Sequence, residues 1–141
     1  MLLWIALSVA APTAEQRAIG ALSARHMVET CEELERDLHD PIATWLAAID
    51  VVSPPWVATR AADCLLRHDD AHVNTVVLTW MRTPEKAGLA ELALRRAPSL
   101  QPERADAWAT AALQGPLAER LGVVLPSSKA PSRRQPAVPQ Q

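Results

Sequence analysis

The amino-acid sequence predicts an all-α fold of antiparallel helical hairpins, and three observations carry that expectation. Of 141 residues 49% are hydrophobic, yet Phe and Tyr are absent and Ala is the commonest residue, so strong helix formers abound and strand-forming aromatics are scarce. Prolines head successive Ala- and Leu-rich segments, where a fixed φ and a missing N–H do no harm. Within those segments apolar residues recur at steps of three and four. A charged share of 21% and a mean hydropathy of -0.01 describe a globular chain, and its length allows one domain.

The chain opens with an apolar run, Leu2 to Ala11, followed by Pro12-Thr13-Ala14. The run is too short for a bilayer span, which needs ~20 apolar residues. It fits the apolar region of a secretory signal, with small Ser8 and Ala10 where a signal peptidase reads. Residues 1–14 are therefore expected to be a leader, and the protein periplasmic or secreted. The alternative is an apolar strap packed on a cytoplasmic domain.

A first helix is expected over Glu15–Leu38, with Met27, Cys31, Leu34 and Leu38 on its apolar side and Glu29, Glu32, Glu33, Arg36 and Asp37 opposite. His39 and Asp40 form a turn before a helix over Pro41–Val52. The next, Pro55–Arg67, puts Val57, Ala61, Cys64, Leu65 and His68 on one face. Ala71–Arg82 follows, with Asp70 as its N-cap and Val73, Val76, Val77, Trp80 and Met81 facing inward. Ser53 and Thr83 offer further caps. Pro84–Ala97, Pro102–Gln114 and a short Pro116–Leu121 complete the set, and the short connections make consecutive helices antiparallel neighbours. Residues 15–125 thus form the helical domain. Residues 126–141, rich in Pro, Ser and Gln with Lys129, Arg133 and Arg134 as a basic cluster, have no apolar period and are expected to be a disordered tail.

A shift of 29 residues superposes Pro55 on Pro84, Ala58 on Ala87, Ala61 on Ala90, Cys64 on Ala93, Leu65 on Leu94 and Arg67 on Arg96. Such a period, one helical pair per unit, is the signature of an α-solenoid, whose units bury their apolar faces only by stacking. The pattern Pro55, Val57, Ala61, Cys64, Leu65, followed by Ala71–Met81 as a second helix, resembles the short bacterial HEAT-like repeats. Pro84, Ala90, Ala93 and Leu94 match the following unit, and the likeness covers residues 41–113. It implies a short solenoid of stacked hairpins that binds another protein. Ala58 and Ala87 replace the arginine usual after the valine, and Lys86 stands where a second valine is usual.

A net charge of -2 gives no basic field for nucleic acid. Cys31 and Cys64 are an even pair: exported, they are candidates for a disulfide between helices; cytosolic, they stay as two small buried thiols. The segment Arg67-His68-Asp69-Asp70-Ala71-His72 is the most chemical in type, and it reads as a cap and a solvated turn. His26, the His68-Asp69 pair and Asp106 follow the order of metal ligands that the HD-type phosphohydrolases resemble, which makes a metal-dependent hydrolase the alternative function. No nucleophile elbow or phosphate loop occurs. Trp45, Trp80 and Trp108 are expected in the core, and Trp56, beside two prolines, is the candidate contact residue. The expectation is a non-catalytic helical-repeat protein with a protein partner, no cofactor and no stable membrane span. The missing residue types have AT-rich codons, which points to a GC-rich bacterial genome.

Overall fold

A computed structural model describes residues 10–125. The apolar run up to Val9 and the tail from Pro126 lie outside the described residues. Between them run eight α-helices: α1 (Ala14–Ser23), α2 (Cys31–Glu35), α3 (Pro41–Ile49), α4 (Trp56–Leu65), α5 (Ala71–Trp80), α6 (Ala87–Leu100), α7 (Ala105–Gln114) and α8 (Ala118–Gly122). No strand occurs among the described residues. None of the described helices is long and apolar enough to cross a membrane.

Side-chain caps start several helices. Thr13 accepts from the Gln16 amide at 3.1 Å while Gln16 Oε1 accepts from the Thr13 amide at 2.9 Å, a reciprocal box that fixes the first turn of α1. Asp40 accepts from the Ala43 amide ahead of α3, and Asp70 from the His72 amide ahead of α5. The prolines act less uniformly than their spacing predicts. Pro41 is the first residue of α3, Pro55 is the N-cap position of α4, and Pro84 opens a 3-10 turn, Pro84–Lys86, that feeds α6. Pro102 and Pro116 stand in the connections before α7 and α8. Thr83 does not cap: its hydroxyl turns back to the Thr79 carbonyl at 2.8 Å. Nor does a side chain cap α4, so Ser53 has no such role.

The largest departure from the sequence reading is at its first helix, which is two. Helix α1 stops at Ser23, and Ala24 is extended at φ -60°, ψ 141°. Arg60, on α4, explains the stop. Its Nη1 donates to the carbonyls of Leu22 at 2.8 Å and Ala24 at 2.5 Å, and its Nη2 to that of Arg25 at 3.2 Å. These oxygens at a helix end have no partner within the helix, and a guanidinium with five donors satisfies them from outside. Helix α2 starts afresh with Thr30 accepting from the Glu33 amide at 3.2 Å. Met27, Cys31, Leu34 and Leu38 therefore do not form one helical stripe, and Cys31 is the single buried residue of 24–40. Helix α6 also differs, running through Pro98 to Leu100. The Gln101 amide bonds the Ala97 carbonyl at 2.8 Å, and the buried Gln101 side chain holds the turn beyond the proline in place.

The interior is centred on α4, which packs against α1, α3 and α6; α5 packs on α6 and α7, and α7 on α8. Ala61, Ala62, Cys64 and Leu65 of α4 and Ala90, Ala93, Leu94 and Ala97 of α6 are buried, so small residues let these backbones approach and the leucines fill the space left. Val73, Val77 and Trp80 of α5 and Trp108 and Ala112 of α7 extend the same core. Trp45 and Trp108, both fully buried, supply the bulk that Phe and Tyr give elsewhere. Gly115 eases a close approach after α7, because a Cβ there would lie 3.2 Å from the carbonyl oxygens of Ala111 and Met81 and push them back by a few tenths of an ångström.

Candidate functional site

Helix α4 ends where α2, α3 and the α6–α7 connection meet, and the polar side chains of the molecule gather at this corner. Glu35 Oε1 accepts from the Trp45 indole Nε1 at 2.6 Å and stands 2.6 Å from His68 Nε2. A carboxylate oxygen only accepts, so Nε2 is the protonated ring nitrogen of that pair. From the other side Gln101 Nε2 donates to the carbonyls of Leu66 at 2.8 Å and His68 at 2.9 Å. Arg104 Nη1 donates to the Asp70 carbonyl at 2.7 Å, and its Nη2 pairs with Asp69 at 3.0 Å. One turn into α7, Trp108 Nε1 donates to Asn74 Oδ1 at 2.7 Å.

These partners recur at a near-constant distance along the chain. His68 and Glu35 are 33 residues apart, Gln101 and Leu66 35, Arg104 and Asp70 34, Trp108 and Asn74 34, Arg60 and Ala24 36, and Trp56 and Ser23 33, while Arg60 and Leu22 at 38 and Arg120 and Glu91 at 29 lie to either side. The bonded sulfurs of Cys31 and Cys64, 2.08 Å apart, span 33. The two arginines superposed by the 29-residue shift share one carboxylate: Arg67 Nη2 lies 3.3 Å from Asp63 Oδ2, and Arg96 Nε 2.9 Å from Oδ1.

The corner spends its polar groups on structure. His68, expected as a solvated turn residue, is half-buried against Glu35, and Asp69 is 77% exposed with its side chain on Arg104. His26 and Asp106 are exposed. His26, His68, Asp69 and Asp106 are not brought together, and among the described residues no group of three or more His, Cys, Asp or Glu side chains is placed to hold a metal ion. The physical reason lies in the break after α1, which gives His26 to an exposed irregular stretch, and in the Glu35 contact that turns His68 inward.

Trp56, the expected contact residue, is 39% exposed. Its indole N–H donates to the Ser23 carbonyl at 3.2 Å, and the Arg60 guanidinium carbon lies 5.9 Å from the ring centroid. Half of the ring thus anchors the end of α1. A separate shallow groove of about 380 Å³ lies between α3, α4 and α6, where Val51, Val52, Ala58 and Leu89 share the lining with the charged Asp50, Glu85 and Lys86. Val52 is 88% exposed, and the Lys86–Asp50 pair at 3.6 Å bridges the groove's edge. Neither Val52 nor Leu89 was singled out by sequence reasoning. Their only signal was a pair of valines ahead of two prolines and a leucine following Gly88.

No protein family, curated protein or solved structure matches the chain.

Proposed function

We propose that this protein is an exported, non-catalytic helical-repeat module, a short HEAT-like stack of hairpins that binds another protein through the groove between α3, α4 and α6. The observation that carries the reading is the recurrent spacing of long-range side-chain hydrogen bonds, eight of which span 33 to 36 residues, with Arg60–Leu22 at 38 and Arg120–Glu91 at 29. Repeated units stacked on their neighbours give such a spacing. The packing order supports it too: first helices α4 and α6 meet, as do second helices α5 and α7. For the contacts of Gln101, Arg104 and Trp108 the spacing is longer than the 29 residues that superpose α4 on α6, because α6 continues past Pro98.

Binding follows from what the side chains leave over. Histidine, glutamate, glutamine and arginine at the α4 corner are engaged with one another or with the backbone, while the groove exposes Val52 almost fully and Ala58 and Leu89 in part. Export is supported by the apolar run at residues 2–11 and by the Cys31–Cys64 bond, which persists in an oxidising compartment.

Affinity capture from envelope extracts of the native host, with wild type, Val52→Asp and Leu89→Asp in parallel, tests the binding reading. A partner held by wild type and lost from both variants is the expected result. A partner retained equally by all three moves the site elsewhere, and metal retained stoichiometrically by the purified protein and lost in His68→Ala and Asp69→Ala replaces the reading with the hydrolase. Mass spectrometry of the mature chain checks export: a protein still carrying Leu2–Ala10 in the cytosolic fraction overturns it.

A further inference from the structure

Residues 24–40 run across the molecule with one buried side chain, that of Cys31, and only the five-residue helix α2 as regular structure. Burial, the main force that orders a chain, is limited here: beside Cys31 only Met27, Leu34 and Leu38 rest half-buried against the core. To that partial packing the segment adds a set of point contacts: Arg60 on the carbonyls of Ala24 and Arg25, Glu35 on Trp45 and His68, and the covalent bond from Cys31 to Cys64. Three half-buried apolar side chains and a few hydrogen bonds exchanged against water return little compared with the entropy of ordering so many residues, so the covalent bond carries much of the balance.

The segment also fits loosely at its sides. On the α1 side a cleft of about 190 Å³ separates Ala14, Ala18 and Ala21 from Glu33, Leu34 and Asp37. On the α4 side a second cleft, of about 350 Å³, lies between Met27, Thr30, Cys31 and Glu32 and the α4 residues Asp63 and Arg67. Cys31 itself forms part of that cleft's wall and is 8% exposed, whereas Cys64 is fully buried. The cleft therefore borders the bond on its Cys31 side and not on its Cys64 side.

We propose that residues 24–40 form a strap latched by the Cys31–Cys64 disulfide, and that a dithiol reductant entering the α4-side cleft opens the latch in the folded protein. One thiolate of the dithiol attacks the Cys31 sulfur and the Cys64 thiolate leaves, taking up a proton. The second thiol of the reductant then closes on the first as its own disulfide and expels the Cys31 thiolate, which is protonated in turn. Two electrons pass from the dithiol to the two cysteines, and both protons come from the dithiol. Release of the strap bares Trp45 and Cys64, which in the latched form are fully buried against Glu35 and Cys31.

The test treats the full-length oxidised protein with dithiothreitol in native buffer. It then combines alkylation with mass spectrometry, far-ultraviolet circular dichroism and amide hydrogen exchange. Two newly alkylated thiols are expected, with the helical signal retained and exchange in 24–40 faster by on the order of several hundredfold, the factor a disulfide closing a loop of this length contributes. Protection in α4 to α7 should stay. Trypsin cleavage at Arg25 and Arg36 of the reduced protein gives an independent reading of strap release. The C31S/C64S variant should match the reduced wild type in all of these. Thiols that appear only with denaturant overturn the latch, as does protection in 24–40 that survives reduction. Collapse of the whole helical signal on reduction overturns it too, because the bond then staples the entire domain.

Discussion

Two stretches of similar role, each linking one part of the core to another, are held in opposite ways. The strap, residues 24–40, hangs on polar tethers and one disulfide; the stretch from α4 to α7 buries Val57, Ala61, Leu65, Val73, Trp80, Leu94 and Trp108. In the second, removal of water from apolar surface dominates and hydrogen bonds align what is already packed. In the first, Met27, Leu34 and Leu38 are only half-buried on the core, and hydrogen bonds and the covalent bond take a larger share. The difference teaches that the same chemistry, a side chain reaching a carbonyl about one unit back, acts as register in a packed region and as attachment in an unpacked one.

Substitution separates the two, and the greatest loss should come from the packed region. Leu65→Ala or Trp108→Ala should each cost about 3–5 kcal/mol in urea unfolding, since each leaves a cavity in a fully buried site. Gln101→Ala is next, at about 2–3 kcal/mol, because the carbonyls of Leu66 and His68 lose their donor at a buried position. Loss below 1 kcal/mol would show that water replaces the amide and that α6 does not depend on this contact past Pro98. In the strap, Glu35→Ala should cost about 1–2 kcal/mol and shift tryptophan emission, as the Trp45 indole N–H loses its acceptor. Smallest of all, Thr30→Ala should speed amide exchange over 24–38 severalfold while moving the global unfolding midpoint by less than ~0.5 kcal/mol, although a helix cap is ordinarily worth ~1 kcal/mol. A full cap's worth of global destabilisation would mean that strap and core unfold as one unit, and the contrast between them would fall.

The sequence made the packed region readable and the strap nearly opaque. Periodicity found Val57, Ala61, Cys64 and Leu65 on one face of α4 and Val73, Val77 and Trp80 on one face of α5, because burial by neighbouring helices imposes the helical period on local residues. Asp70 was legible as a cap for the same reason, its partner being two residues away. The break after Ser23 was not, since its cause, Arg60, lies more than thirty residues on. Met27, Cys31, Leu34 and Leu38 do have helical spacing, and that local pattern loses to a guanidinium and a disulfide placed by α4. One local signal was present and passed over: Thr30 followed by Glu33 has the spacing of a helix start. At the α4 corner the residue types were visible, but the pairing of His68 with Glu35 and of Gln101 with the end of α4 is set by stacking and leaves no local trace.

A last consequence concerns where the information for these contacts is written. Arg60, Gln101 and Arg104 donate to the peptide oxygens of Leu22, Ala24, Arg25, Leu66, His68 and Asp70. Every residue type carries that oxygen, so the acceptor survives any exchange of side chain at those six positions, whereas replacing a donor removes the bond. Recognition here is one-sided: three encoded side chains read a backbone that carries no code, and the acceptor half of each contact is free to drift in sequence without the contact being lost.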